Sequence, residues 1–219
     1  MVSTAYLAKE INFEDSNKKL LEDIINIGLN LGADFVEIFL ENTDNISVLV
    51  EEDFITSVSP SFGKGAGIRI FKDKRDGFVS TNDLSKDGLI KSISQAVQML
   101  DITETSSHNK FQGLEDLRNY SDRKNDWLKK VPLVDEIGEK LLLSTASLKK
   151  DPKVNIRKSS YARNWQQVLI ASSDGTFAKD IRLHQTVGLN LIATDRQYRS
   201  SGSRRFGSSD NPNDLRNWD

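Results

Sequence analysis

Cysteine is absent from the 219 residues, and that absence removes disulfides, thiol nucleophiles and thiolate metal ligands together. It is compatible with a reducing compartment, and a cytoplasmic location is expected. Histidine is nearly absent as well. His108 and His184 are followed by Asn109 and Gln185, so neither opens a His-Glu-x-x-His or His-Glu-x-x-x-His pattern. No apolar run approaches the roughly 20 residues a membrane span requires, and the first residues, which include Lys9 and Glu10, lack the apolar core of a signal peptide. No membrane partner is indicated. Against these absences, hydrophobic residues make up 37% of the chain and charged residues 28%, the balance of a globular protein with a hydrated surface.

The formal net charge of -2 conceals an asymmetry. Lysine and arginine are outnumbered by aspartate and glutamate up to Leu148, and the order reverses from Lys149 onward. The basic residues are spread through strand-like segments and a Ser/Gly-rich turn region and form no dense arm. A solvated or subunit-facing surface is therefore expected, with weak, salt-sensitive attraction to DNA at most.

Periodicity predicts an α+β fold, with mixed or antiparallel sheet layers, packed helices and a strand-rich later segment. A helix is expected over 16–31, with Leu20, Leu21, Ile24, Ile25 and Leu31 on one side, Asp15 or Ser16 as its cap, and Gly32 as its stop. A second is expected over 83–100, starting near Asn82 or Asp83. A third is expected over 133–148, with Pro132 at its start and Pro152 beyond its end. Val36, Ile38 and Leu40 alternate, as do Ile46, Val48 and Val50; the polar Asn42-Thr43-Asp44-Asn45 between them reads as a hairpin turn. Further strands are expected at 54–58, 67–71, 77–80, 153–162, 166–171 and 176–194, and a last at 196–206. The polar Lys72-Asp73-Lys74-Arg75-Asp76-Gly77, with its Asp-Gly ending, and Ser172-Ser173-Asp174-Gly175 read as turns. In the long strand Ile181, Leu183, Val187, Leu189 and Leu191 share a face, with Arg182, His184, Thr186 and Asn190 opposite and Gly188 a place for a bulge. The expected organisation is an α/β region at 1–105, a polar linker or surface excursion at 106–132, and a helix-plus-long-strand region at 133–219.

Three candidate chemistries fail on the residues. A zinc hydrolase needs three protein ligands, an open position and a carboxylate, and neither His184 nor His108 has a recognisable ligand set beside it; a surface or packing role is the plain assignment for both. Gly63-Lys64-Gly65-Ala66-Gly67 runs into the strand-like Ile68-Arg69-Ile70-Phe71, with no following helix and no Gly-Lys-Ser/Thr ending. It reads as a close backbone approach or a demanding turn, with Arg69 an exposed cation. No serine sits in a Gly-x-Ser-x-Gly elbow, and Ser200-Ser201-Gly202-Ser203 has turn chemistry. The 32 aspartates and glutamates leave carboxylate-only catalysis open, with no pair among them singled out. No residue is assigned a catalytic, cofactor-binding or metal-binding role.

Several separated phrases point the same way. Leu31-Gly32-Ala33-Asp34-Phe35-Val36-Glu37-Ile38-Phe39, then Gly65-Ala66-Gly67-Ile68-Arg69-Ile70 and Asp76-Gly77-Phe78-Val79-Ser80, resemble in order and spacing the opening of TldD/PmbA proteins, and Ile170-Ala171-Ser172-Ser173-Asp174-Gly175 with the extended segment beyond it resembles that family's second strand-rich part. The resemblance implies a metal-dependent peptidase that matures peptides, a family also labelled modulator of DNA gyrase and assembled from two homologous or identical subunits. It implies zinc in a catalytic parent, held on a histidine-glutamate helix beyond the region represented here. This chain would then be the amino-terminal, non-catalytic part of a TldD-like subunit. The alternative is a PmbA-like companion or a gyrase-modulating assembly module without hydrolytic activity.

Overall fold

The computed structural model describes residues 17–102, 111–120 and 133–209. Its elements are α1 (Lys18–Asn30), β1 (Phe35–Glu51), β2 (Phe54–Lys72), β3 (Arg75–Thr81), α2 (Lys86–Gln98), β4 (Arg118–Asn119), α3 (Val134–Ser147) with a 3-10 turn at Leu148–Lys150, β5 (Val154–Ser172), β6 (Phe177–Asp195) and β7 (Tyr198–Ser209). The fold is α+β. Its seven-stranded sheet runs β3-β2-β1-β5-β6, with β4 and β7 both paired to β6. The pairs β2–β3 and β6–β7 are antiparallel, and β4 runs parallel to β6. No helix among the described residues is long and apolar enough to cross a membrane.

The chain forms two compact units, one of residues 1–42, 63–122 and 167–180, the other of residues 43–62, 123–166 and 181–219. They interleave along the sequence because β1, β2, β5 and β6 each contribute to both. The ranges expected from sequence were consecutive. In the first unit, Leu21, Ile24, Ile25 and Leu29 of α1 and Leu89, Ile93 and Ala96 of α2 bury against Val36, Ile38, Leu40, Ile68 and Ile70 of the sheet. Each such aliphatic side chain contributes roughly 1.5–3 kcal/mol on leaving water. In the second unit, Ile137 and Leu141 of α3 cover Ile46, Val48, Val50, Tyr161 and Val187. Trp165, Ile181 and Leu183 form a smaller cluster there.

Helix ends show where local chemistry set the boundary. Gly32, at φ 101°, stops α1 as expected. The expected caps Asp15 and Ser16, and Pro132 at the start of α3, lie outside the described residues. Helix α2 begins later than expected. Hydrogen bonds from the Ser85 hydroxyl and then from the Ser85 N–H lower the Asp83 carboxyl pKa, and Ser85 Oγ accepts the Gly88 N–H at 3.1 Å as the true cap.

Several expected turns are strand interiors. Asn42 to Asn45 do not reverse the chain: β1 runs straight through, because Asp44 and Asn45 find cross-strand partners in Arg163 and Asn164. The reversal falls at Glu52-Asp53, where Glu52 takes φ 55°. Gly63 to Gly67 likewise lie inside β2, with no positive φ, and the two segments expected at 54–58 and 67–71 are one strand. Gly67 accommodates the Phe78 ring, which would lie 3.0 Å from an added Cβ. The turn expected within Lys72 to Gly77 forms at its start, at Asp73, φ 54°, whose N–H donates to Asp34, while the Asp76-Gly77 ending belongs to β3, paired with Phe71 and Ile70. β5 is one strand where two were expected. β6 shows no bulge at Gly188, which pairs with Arg205 in unbroken register. The turn at Ser172 to Gly175 forms as expected, with Gly175 at φ 97°. Within the polar excursion, residues 111–120 are anchored to the first unit. Leu114 is buried, its N–H donates to Glu22, and Glu115 N–H donates to the Gly175 carbonyl.

Gly77 supports a direct test of this packing. An added Cβ would meet the Ala96 carbonyl oxygen of α2 at 2.7 Å, a backbone atom that cannot swing aside. Gly77→Ala should therefore cost about 1–3 kcal/mol in urea unfolding. Gly202→Ala, with nothing within 4 Å of the new Cβ, should stay within about 0.5 kcal/mol. Equal midpoints for the two variants would contradict the close approach of β3 to α2.

Candidate functional site

Alternation along the strands of the second unit sorts its residues onto two faces. Ile46, Val48, Val50, Tyr161 and Val187 point toward α3. Asn45, Ser47, Ala162, Asn164, His184 and Thr186 therefore point away from it. These six, with Ile46, Ser59, Pro60, Ser61 and Arg163, line a concavity of about 420 Å³. The sequence reading placed His184 opposite the apolar stripe, and the structure places it in the wall of this concavity. It could not supply the other members, because Asn45 and Asn164, whose side-chain amides are hydrogen-bonded across the floor, are 119 positions apart.

The surface turned to the concavity is mostly apolar, with a few polar atoms and little free charge. Arg163 donates to Asp44 in an ion pair in which both side chains are largely buried, so each largely cancels the other. The remaining lining residues are the apolar Ile46, Pro60 and Ala162, and a set of amides, hydroxyls and the imidazole of His184. Such groups suit the N–H and C=O of a peptide better than a charged side chain, because neutral donors and acceptors exchange for water at little electrostatic cost.

The same residues do not fit a zinc ion. No carboxylate lines the concavity, the one imidazole has no second ligand beside it, and the nearest ionic group is the Arg163 guanidinium. Among the described residues no three His, Asp or Glu side chains form a group that could hold a metal.

Other polar networks serve the scaffold. Tyr161 is buried on the α3 face, its hydroxyl donates to Gln185 at 2.8 Å, and burial pushes its pKa up to about 12, which keeps it a neutral donor. The Arg157 guanidinium is buried against Glu52 beside the β1–β2 turn and holds that carboxyl below its ordinary range. Asp53, in the same turn, is lowered mainly by its hydrogen bond from Lys149. Arg69 is exposed as expected; it pairs with Asp76 and lies 4.6 Å over the Phe71 ring. Ser200 to Ser203 lie inside β7, where a turn was read. His108 falls outside the described residues.

Comparison with known proteins adds what this geometry cannot. Residues 36–100 match the model of PmbA/TldA metallopeptidase domain 1, and residues 128–219 match the PmbA/TldA metallopeptidase central domain. A metalloprotease of Methanocaldococcus jannaschii is 22% identical over 193 residues, covering 87% of this chain and 42% of that protein. Two crystal structures share the fold. One is a Bacteroides thetaiotaomicron protein described as a candidate modulator of DNA gyrase, at TM-score 0.66 and 20% identity over 89% of this chain and 45% of that one. The other is TldE of Thermococcus kodakarensis, at TM-score 0.62 and 20% identity over 86% and 42%. The chain thus spans less than half the length of each relative. With both family regions matched in order along most of its length, the chain belongs to the PmbA/TldD metallopeptidase family.

Proposed function

We propose that this chain is the amino-terminal substrate-enclosure and assembly region of a TldD/PmbA-type metal-dependent peptidase, and that it is inactive by itself. The observation that carries the proposal is the largely apolar concavity on the sheet face opposite α3, with a few amides and hydroxyls and no carboxylate in its lining, in a chain of a metallopeptidase family. An enclosing wall has to hold extended peptides of varied sequence. A mostly apolar lining with a few amides and hydroxyls does so with no charged group that selects one side chain. The proposal places zinc in the catalytic part of the parent protein, the second subunit as a homologous or identical chain, and the whole in the cytoplasm. Along the sequence it divides the chain into a region at 1–105, a connecting excursion at 106–132, and a region at 133–219 that leads into the catalytic part.

A non-catalytic companion subunit is the alternative, favoured by the shared fold with TldE. A histidine-glutamate-three-residue-histidine helix downstream in the native gene product decides for the catalytic subunit.

The wall itself can be tested in the full-length parent. Ala162 is exposed and lines the concavity, so Ala162→Trp fills it without disturbing a core. KM for an unstructured peptide should rise about 10-fold, the effect of removing roughly 1.4 kcal/mol of uniform binding, with kcat and metal content unchanged. An unaltered KM would remove the concavity from the substrate path.

A further inference from the structure

β7 is the most exposed strand of the second unit. It pairs with β6 in unbroken antiparallel register from Asp195 and Tyr198 to His184 and Ser209, and among the described residues nothing pairs with its other edge. Every side chain from Tyr198 to Gly207 is exposed. About half of the backbone N–H and C=O groups of such a strand point away from its one partner. An edge of this kind is a template for one more strand.

Its chemistry narrows the occupant. Cross-strand partners share a face, so Arg199 and Arg205 lie on one face with Thr194 and Gly188, while Arg204 lies on the other beside Leu189 with its guanidinium 5.2 Å over the Phe206 ring. Among the described residues none of these three arginines takes part in an ion pair. They would repel a second copy of β7 laid along the edge. They would attract carboxylates, and Arg199 and Arg205 stand about 20 Å apart on one face at the rise of a strand. The other open edge of the unit, along the first half of β2, differs in kind: it holds Pro60, which lacks an N–H, and the exposed Phe54, Val58 and Phe62 with no arginine among them.

We propose that the outer edge of β7 binds an extended acidic peptide segment of a partner protein as an added strand, with carboxylates six positions apart meeting Arg199 and Arg205. The inference stands apart from the proposed function, since it needs neither a metal nor turnover.

The probe is a labelled nine-residue peptide with glutamate at positions 2 and 8 and alternating valine and threonine elsewhere, titrated into the 219-residue chain by fluorescence anisotropy. Binding is expected to weaken at least 10-fold when alternate peptide amides are N-methylated, when both glutamates become lysine, and in the Arg199→Glu/Arg205→Glu protein. That protein should prefer the lysine peptide. Both arginines are exposed, so the variant should keep the parent's circular dichroism, and the N-methylated peptide tests the edge with no change to the protein. Equal binding of the N-methylated peptide would overturn the added strand, and equal binding of the lysine peptide would overturn the acidic preference. A 12-nucleotide oligothymidine that bound more tightly than the glutamate peptide would make β7 a nucleic-acid surface and overturn the proposal.

Discussion

Incubated with unstructured peptides, the 219-residue chain should release no fragments and, after dialysis, keep no stoichiometric zinc, whereas the full-length parent should do both. The expected difference in turnover is at least about 10⁶-fold, the lower end of enzymatic rate enhancement. The expected reason is the lack of a metal-holding donor group among the described residues, and not a failure to fold. A catalytic zinc takes three protein ligands and leaves a fourth position for water. His184 lies among Asn45, Ser47, Asn164 and Thr186, and the carboxylate of Asp44, one residue before the lining Asn45, is bound by Arg163. Metal analysis and peptide turnover on both proteins, freed of tags and contaminating proteases, make the comparison. One-to-one zinc with turnover in the 219-residue chain would sink the placement of chemistry outside it. An inert full-length parent would favour the companion subunit.

What was legible in the sequence followed from periodicity, and what was not followed from pairing at a distance. The 3.6-residue spacing of Leu21, Ile24, Ile25 and Leu29 and the two-residue spacing of Ile181, Leu183 and Val187 report burial directly, because each records one face of a local element. Asn42 to Asn45 misled because polar residues in sequence resemble a turn, and their cross-strand partners lie more than 100 positions away. Glu52 was invisible for the opposite reason. A glutamate at φ 55° announces no turn; Arg157 holds it there by accepting the Glu52 N–H at its carbonyl and by donating its own N–H and its guanidinium to the Glu52 carboxylate. The concavity shares this limit, since it is assembled from β1, β2, β5 and β6 and no one of them carries its signature.

The Glu52 turn carries the largest stability effect expected from a single residue. Arg157 is 5% exposed at its side chain; Nε donates to Glu52 at 2.9 Å, Nη2 donates to the same carboxylate, and Nη1 is buried with no partner. Removing the carboxylate by Glu52→Ala leaves a buried cation with only Asp53, 3.9 Å from Nη2, to offset it. The cost should be about 3 kcal/mol, the low end for a stripped buried ion, because Glu52 is partly exposed and water reaches its side. Glu52→Gln keeps an acceptor and should lose about half as much. Glu52→Ala combined with Arg157→Met replaces the pair with apolar volume and should recover most of the loss, which a purely conformational effect at φ 55° would not allow. The pH dependence follows from the lowered Glu52 pKa. The contribution is fully present above the ordinary value of 4.5 and is lost as pH falls through the depressed one, where the parent protein protonates the carboxylate that the variant lacks. Urea unfolding at pH 7 should therefore separate parent from Glu52→Ala by the full amount, and the gap should narrow progressively below pH 4.5. A gap under about 0.5 kcal/mol at neutral pH, or one that stays constant into acid, would show that the Glu52–Arg157 pair does not hold the turn.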